Sequence, residues 1–322
     1  MKYITLGKSD LRVSRIAFGT WQLGGDWGAT DTDAAVRAIR EAANQGVTFF
    51  DTAQAYGFGA SEELLATALR GLRRDDLVIA TKGGLRQVGG GVARDSSASS
   101  IKEGVESSLR ALDTDYIDLY QIHWADSRTP FEETTEALAK LVADGKVRHV
   151  GVSNFDEAQM QAFSAYLPVE TLQPPYHLLR RDIEREILPY TNANNIGVLI
   201  YGPLAHGMLG GSLGRDTRFA PGDWRAKSAV FRGEVFEHNL QRVDELAEFA
   251  RRDLGISIGQ LAVAWTLANP AVHVAIVGTR NPLHVLEAWA AADLTLNDDT
   301  MARIDEILRD TTSILGPSPK TV

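Results

Sequence analysis

The stretch QGVTFFDTAQAYG, residues 45–57, decides the fold. Its apolar run GVTFF ends on an acid, Asp51, and Tyr56 follows just beyond. Upstream lies TDAAVRAIREAANQG (32–46) and downstream ASEELLATALRGL (60–72), both with apolar residues at helical spacing. The local unit is a helix, a short buried strand and another helix, with a polar residue where the strand stops.

That unit recurs along the chain. Strand-like runs follow at DLVIAT, YIDLYQI, RHVGV, VETLQ, IGVLIY and HVAIVG, and a first one lies near Arg15 to Gly19. Helical segments include SASSIKEGVESSLRAL, FEETTEALAKLVADG and EAQMQAFSAY. The strand runs do not alternate apolar with polar residues, as expected of parallel strands covered on both faces. Eight strand-helix repeats in 322 residues predict an α/β fold, a (β/α)8 TIM barrel, over an open doubly wound sheet. The opening YITLGKSDLRVSRIAFG, with a turn-rich GKSD, predicts an N-terminal β-hairpin leading into the first strand. Additional helices outside the repeat are expected at Glu234 to Asp253 and near Asp298 to Arg309. No linker-like stretch divides the chain, so one domain over 1–322 is expected. The loops Gly83 to Ser97 and Pro203 to Gly233 are long enough to be functional.

Composition narrows the function. A formal net charge of -9 argues against nucleic acid, whose phosphates need concentrated Lys and Arg. There is no cysteine, and the seven histidines form no metal-binding motif, so no metal site is expected. The N-terminus has no apolar core of signal-peptide length, which points to the cytoplasm. Leu254 to Thr279 lacks Asp, Glu, Lys and Arg, yet Gln260, Asn269-Pro270 and His273 make it a buried helix, a turn and a buried strand, not a membrane span.

In a barrel of this kind the strand C-termini open on one face, where chemistry is expected. The polar residues there are Asp51, Lys82, His123, Ser153 with Asn154, Gln173, Tyr201, and Gly278, Thr279 and Arg280. Tyr56 can fold back over the same mouth. A tyrosine hydroxyl becomes a better acid beside a cation, and Lys82 supplies one. Asp51 would anchor that ammonium and compensate its burial. His123 would donate to an oxygen lying between it and the phenol. Such a set polarises and protonates a carbonyl oxygen, while the hydride must come from a cofactor.

Taken singly, each residue has an ordinary structural reading. Asp51 suits a turn or a helix cap, and Tyr56 and His123 suit packing. Ser153 with Asp156 resembles a capping box for a helix beginning near Phe155. Trp21 and Trp124 suit either a substrate pocket or a barrel rim. The combination is more specific, because four residue types suited to one reaction stand at the mouth end of a strand or on the loop after it.

FDTAQAYG, VIATKGG, DLYQIHW, GKVRHVGVSNF and IVGTRNP, in this order and spacing, resemble the aldo-keto reductase superfamily over nearly the whole chain. LGKSDLRVSRIAFGT and FAPGDWRAKSAVFRGEVFEHN are more specifically similar to its bacterial branch of inositol-utilisation and general stress reductases. The resemblance implies a TIM barrel that binds NADPH in extended form without a Rossmann domain, with NADH a weaker cofactor. It implies that Tyr56 is the general acid, Asp51 and Lys82 its tuning pair, and His123 the carbonyl-orienting residue.

For the cofactor, the resemblance implies that Ser153, Asn154 and Gln173 hold the nicotinamide carboxamide and that Tyr201 stacks on the ring. GPLAHGMLGG, with Gly202, Leu204, Gly207, Leu209 and Gly210, would follow the pyrophosphate, and Gly278, Thr279, Arg280 and His284 the adenosine 2'-phosphate end. The chain departs from the family pattern at Ala288, at His284 and in LGGSLG, which lacks a lysine beyond Gly211. All three bear on the preference for NADPH over NADH.

The expected partner is a small carbonyl or polyol substrate, with no nucleic acid and no membrane, and the protein a monomer or weak homo-oligomer. The competing readings are a nucleotide-binding sensor on the same fold and a TIM-barrel isomerase or hydrolase, which would have no nicotinamide site. Gly83 and Gly84 after Lys82 predict an open side to the pocket and tolerance of bulky carbonyls.

Overall fold

The computed structural model describes residues 1–25, 27–28, 31–220, 222–279 and 288–314. The chain opens with an antiparallel pair, β1 (Tyr3–Thr5) and β2 (Arg12–Ser14), turned at Gly7 with φ +58. Eight parallel strands then close into a barrel. They are β3 (Ile16–Gly19), β4 (Phe49–Asp51), β5 (Val78–Gly83), β8 (Ile117–Ile122), β9 (Val147–Ser153), β10 (Thr171–Gln173), β11 (Gly197–Tyr201) and β12 (Val274–Val277). A second antiparallel pair, β6 (Leu85–Val88) and β7 (Gly91–Arg94), lies between β5 and β8 and occupies most of the first long loop.

Strand parity places the side chains. On β4, Phe49 joins the core inside the barrel while Phe50 packs outward against the helices. The same alternation puts Ala80, Leu119, Leu199 and Ile276 inside and Ile79, Tyr120, Ile200 and Val277 outside. Continuing inward parity by two residues gives Asp51 after Phe49, Lys82 after Ala80, Gln121 and His123 after Leu119, and Tyr201 after Leu199. Polar residues at strand ends therefore project into the mouth above an apolar plug. At the opposite end Leu6, Leu11 and Val13 of the hairpin join the interior core and close the barrel floor.

The surrounding helices include α1 (Thr32–Asn44), α2 (Ala60–Leu69), α3 (Ala98–Leu112), α4 (Phe131–Ala143) and α5 (Glu157–Ser164). Asp31 and Ser97 cap α1 and α3 by accepting the Ala34 and Ser100 N–H groups. A capping box also starts α5, but Asp156 and Gln159 form it, not Ser153 and Asp156. Ser153 is still on β9 and donates to the Gln173 carbonyl at 2.8 Å.

The charge-free segment resolves as the sequence suggested. It holds the helix Ile258–Ala268, capped by Ser257 and Gln260, and strand β12. Among the described residues no helix is long and apolar enough to cross a membrane. The added helices lie at Gly233–Phe249, continued by a π turn at Ala250–Leu254, and at Asp298–Ile307.

Candidate active site

At the mouth, the Lys82 Nζ donates to Asp51 Oδ1 at 2.7 Å and to the Thr52 carbonyl at 2.9 Å, and it reaches the Tyr56 hydroxyl at 3.4 Å. The Gln173 Nε2 donates to Asp51 Oδ2 at 2.8 Å, so both carboxylate oxygens are engaged. Lys82 and Asp51 are buried. Burial pulls the Lys82 ammonium below its ordinary pKa, and the neighbouring Asp51 carboxylate opposes that pull. An ammonium this deep requires a counter-charge, which the register of β4 beside β5 supplies.

His123 packs edge-on against Tyr56, ring centroids 5.8 Å apart at 81°. Burial first, and then the Lys82 charge, hold its imidazole well below the usual value, so it is neutral near pH 7. A neutral imidazole offers one N–H donor to an oxygen in the mouth without adding a charge.

These residues open on a cavity of about 520 Å³. Asp51, Tyr56, His123, Trp21 and Trp124 line it, while Lys82 stands behind Asp51 and Tyr56. Ser153, Asn154, Gln173, Tyr201, Gly202, Leu204, Gly207, Gly278 and Thr279 also line it. Asn154 adopts a left-handed backbone, φ +59, which asparagine tolerates better than most side chains. That turn lets its Nδ2 donate to the His123 carbonyl at 3.1 Å and to Ser153 Oγ at 2.9 Å, while Oδ1 accepts from the Tyr201 hydroxyl at 3.0 Å. One network thus ties the flat Tyr201 ring to the wall that carries His123.

Other candidates fall elsewhere. Leu209 is buried in the outer core and Gly210 is exposed, and neither lines the cavity. Ala288 is buried among apolar side chains. Arg280 and His284 lie outside the described residues. Gly83 and Gly84 do not open the pocket: both are buried, and a Cβ on Gly83 would stand 1.8 Å from the Tyr120 hydroxyl. Gly83 is small because Tyr120 of the adjacent strand β8 packs over it, on the outward side of the sheet.

Among the cavity residues the sequence did not single out are Trp27 and Arg225, and His206, from the GPLAHGMLGG stretch assigned to the pyrophosphate, lines the cavity as well. Trp27 comes from the loop after β3 and Arg225 from the loop after β11, and the two loops pair at Trp27 and Asp223. The Arg225 guanidinium lies 4.6 Å from the Trp27 ring and binds Asp223 at 2.7 Å. Trp224 stacks on Trp21 at 6.2 Å. The unusual length of the segment 203–233 was the available signal, and its own conformation was not legible.

The aldo/keto reductase family profile matches residues 15–309. The chain belongs to this family. A reductase of the family, YhdN of Bacillus subtilis (strain 168), is 40% identical over 315 residues, 97% of this chain and 95% of that protein. The NADH-specific methylglyoxal reductase of Escherichia coli (strain K12) is 34% identical over 92% of this chain and 95% of its own length.

Among solved structures, the glycerol dehydrogenase AKR11B4 from Gluconobacter oxydans superposes with a TM-score of 0.88 at 40% identity, covering 98% of each chain. An aldo-keto reductase from Klebsiella pneumoniae in complex with NADPH gives a TM-score of 0.74 at 30% identity, covering 98% of this chain and 99% of that one. The chain is accordingly a (β/α)8-barrel oxidoreductase that depends on NAD(P)H and acts on small molecules.

Proposed function

We propose that the protein reduces aldehydes or ketones to alcohols with NADPH ahead of NADH, Tyr56 supplying the proton, and that a polyol or alcohol is the substrate in reverse. The observation that carries this reading is the Asp51–Lys82–Tyr56 chain of contacts at 2.7 and 3.4 Å, set beside a neutral His123 at the cavity wall.

In this reading the substrate carbonyl oxygen lies between the Tyr56 hydroxyl and His123. His123 donates a hydrogen bond that stabilises charge as it gathers on that oxygen. Tyr56 then gives its proton to the oxygen, and the Lys82 ammonium stabilises the phenolate left behind. Asp51 keeps Lys82 charged and in place, and the Gln173 amide holds Asp51 from the other side. The carbonyl carbon gains a hydride, the oxygen a proton, and the product is an alcohol.

The donor set suits a nicotinamide. Ser153, Asn154 and Gln173 offer hydroxyl and amide groups beside the flat Tyr201 ring on one wall of the cavity, complementary to a carboxamide and an aromatic face. A nicotinamide held there would supply the hydride. Gly202, Leu204 and Gly207 on one side and Gly278 and Thr279 on the other continue along the cavity toward the assigned phosphate positions. Arg280 and His284 complete the 2'-phosphate end in this proposal. We further propose that the chain works as one domain in the cytoplasm, as a monomer or weak homo-oligomer, without a nucleic-acid partner.

The test is nicotinamide absorbance against time with an activated aromatic aldehyde, NADPH and NADH in parallel, for the wild type and Tyr56→Phe. Aldehyde-dependent oxidation that falls at least about a hundredfold in Tyr56→Phe, with cofactor affinity unchanged, is expected. Saturable nucleotide binding without oxidation of NADPH or NADH by any aldehyde would favour a sensor instead.

A further inference from the structure

His206 stands on the wall of the same cavity in a backbone conformation that side chains seldom adopt. Three successive residues have positive φ: Ala205 at +47, His206 at +56 and Gly207 at +100. Two non-glycine residues in the left-handed region cost conformational energy and persist only where neighbours hold them. Arg225 is such a neighbour. Its Nη1 donates to the His206 carbonyl at 3.0 Å, and Asp223 and the Trp27 ring pin its guanidinium.

The imidazole held in this way faces aromatic side chains. It lies edge-on to Trp21 at 6.0 Å and to Trp224 at 5.1 Å, and Trp21 in turn lies 6.4 Å from Tyr56. Among the described residues neither ring nitrogen of His206 makes a hydrogen bond. Burial, with the charges of Arg180 and Arg225, lowers its pKa to about 3, so the ring is neutral, with one donor and one acceptor nitrogen. A polar group in a mostly apolar pocket is costly until a ligand satisfies it.

We infer that His206 determines specificity by binding a hydroxyl on the substrate's carbon chain, so that the favoured substrates are short hydroxylated aldehydes or ketones and the matching polyols. A hydroxyl both donates and accepts, as the neutral imidazole does. A carboxylate would need a free cation, and the Arg225 guanidinium is already committed to Asp223. Trp21 and Trp27 present ring surface to the C–H groups between the carbonyl at Tyr56 and the hydroxyl at His206. The inference rests on the carbonyl-reduction reading above.

The test compares glyceraldehyde with 2-methylbutanal, in which methyl groups replace both hydroxyls. kcat/KM for each is measured with NADPH on the wild type, His206→Phe and His206→Asn, and NADPH affinity is followed by quenching of tryptophan fluorescence. The wild type should prefer glyceraldehyde, and His206→Phe should reduce that preference roughly tenfold, the worth of a single hydrogen bond to a buried polar group. Asparagine tolerates positive φ and keeps a donor and an acceptor, so His206→Asn should retain most of the preference.

Equal losses on both aldehydes, or no loss on either, would make the ring a wall and overturn the inference. A weakened NADPH complex in His206→Phe with an unaltered preference would place the ring against the cofactor and overturn it as well. A wild type that oxidises neither NADPH nor NADH with either aldehyde would instead overturn the reductase reading, and this inference with it.

Discussion

Replacement of Lys82 by methionine separates the two jobs assigned to that side chain, since methionine is of similar length and carries no charge. The first job is chemical. At 3.4 Å and an effective dielectric near 20, an ammonium attracts a phenolate by about 5 kcal/mol. If the proton is about half transferred when the barrier is crossed, roughly half of that, about 2.5 kcal/mol, appears in the rate. Turnover should fall about a hundredfold.

The second job is structural. Lys82→Met leaves the buried Asp51 carboxylate with the Gln173 amide but without its ammonium at 2.7 Å. Breaking a buried pair from one side costs about 3 kcal/mol. Removing both charges, as Asp51→Asn with Lys82→Met, should recover most of the melting temperature and none of the activity. Steady-state kinetics and thermal unfolding on the single and double variants decide the matter. Turnover of Lys82→Met within threefold of wild type would refute the electrostatic role, and activity that returned together with stability would show that Lys82 is only a structural partner of Asp51.

Other expectations follow from single contacts. Asn154→Ala should lower stability by about 1 kcal/mol, because alanine at φ +59 is strained, and should weaken NADPH binding; Asn154→Gly should restore stability but not affinity in the same titration. Gly83→Ala should destabilise by about 2 kcal/mol through overpacking against Tyr120, with Tyr120→Phe tested in the same background for partial relief by urea unfolding. His149 lies between Asp10 at 2.8 Å and Glu170 at 2.7 Å, and these carboxylates raise its pKa. The pair's contribution is therefore full below the unfolded value of about 6.5 and is lost as pH rises through the raised folded value. His149→Gln should lose about 1 kcal/mol at pH 6 and less at pH 9, and a pH-independent difference in melting temperature would count against it.

Much of this protein is written along the chain. Eight apolar runs, none alternating, each paired with a helical period, define a parallel closed sheet, because burial on both faces leaves no place for polar residues inside a strand. The same periodicity makes strand ends legible, and strand parity carries Asp51, Lys82, His123, Gln173 and Tyr201 into one mouth once the barrel is granted. Local signals were weaker where two residues compete for one role. Ser153 and Asp156 both suit a helix cap, and only the observed end of β9 at Ser153 leaves the role to Asp156.

What depended on the tertiary structure was everything set by non-periodic backbone. His206, Trp27 and Arg225 join the cavity through a left-handed turn and a pairing between two loops far apart in sequence, neither of which has a repeating pattern to read. Gly83 and Gly84 looked like an opening because a glycine's composition does not say which neighbour fills its space; Tyr120 from the next strand fills it at Gly83, and Ser96 stands closest at Gly84. Periodic hydrogen bonding allows a residue's direction to be inferred from its number alone, so the sequence determined the barrel and its strand-end residues. The shape and polarity of the pocket above them depend on contacts between distant loops, and only the folded chain decides those.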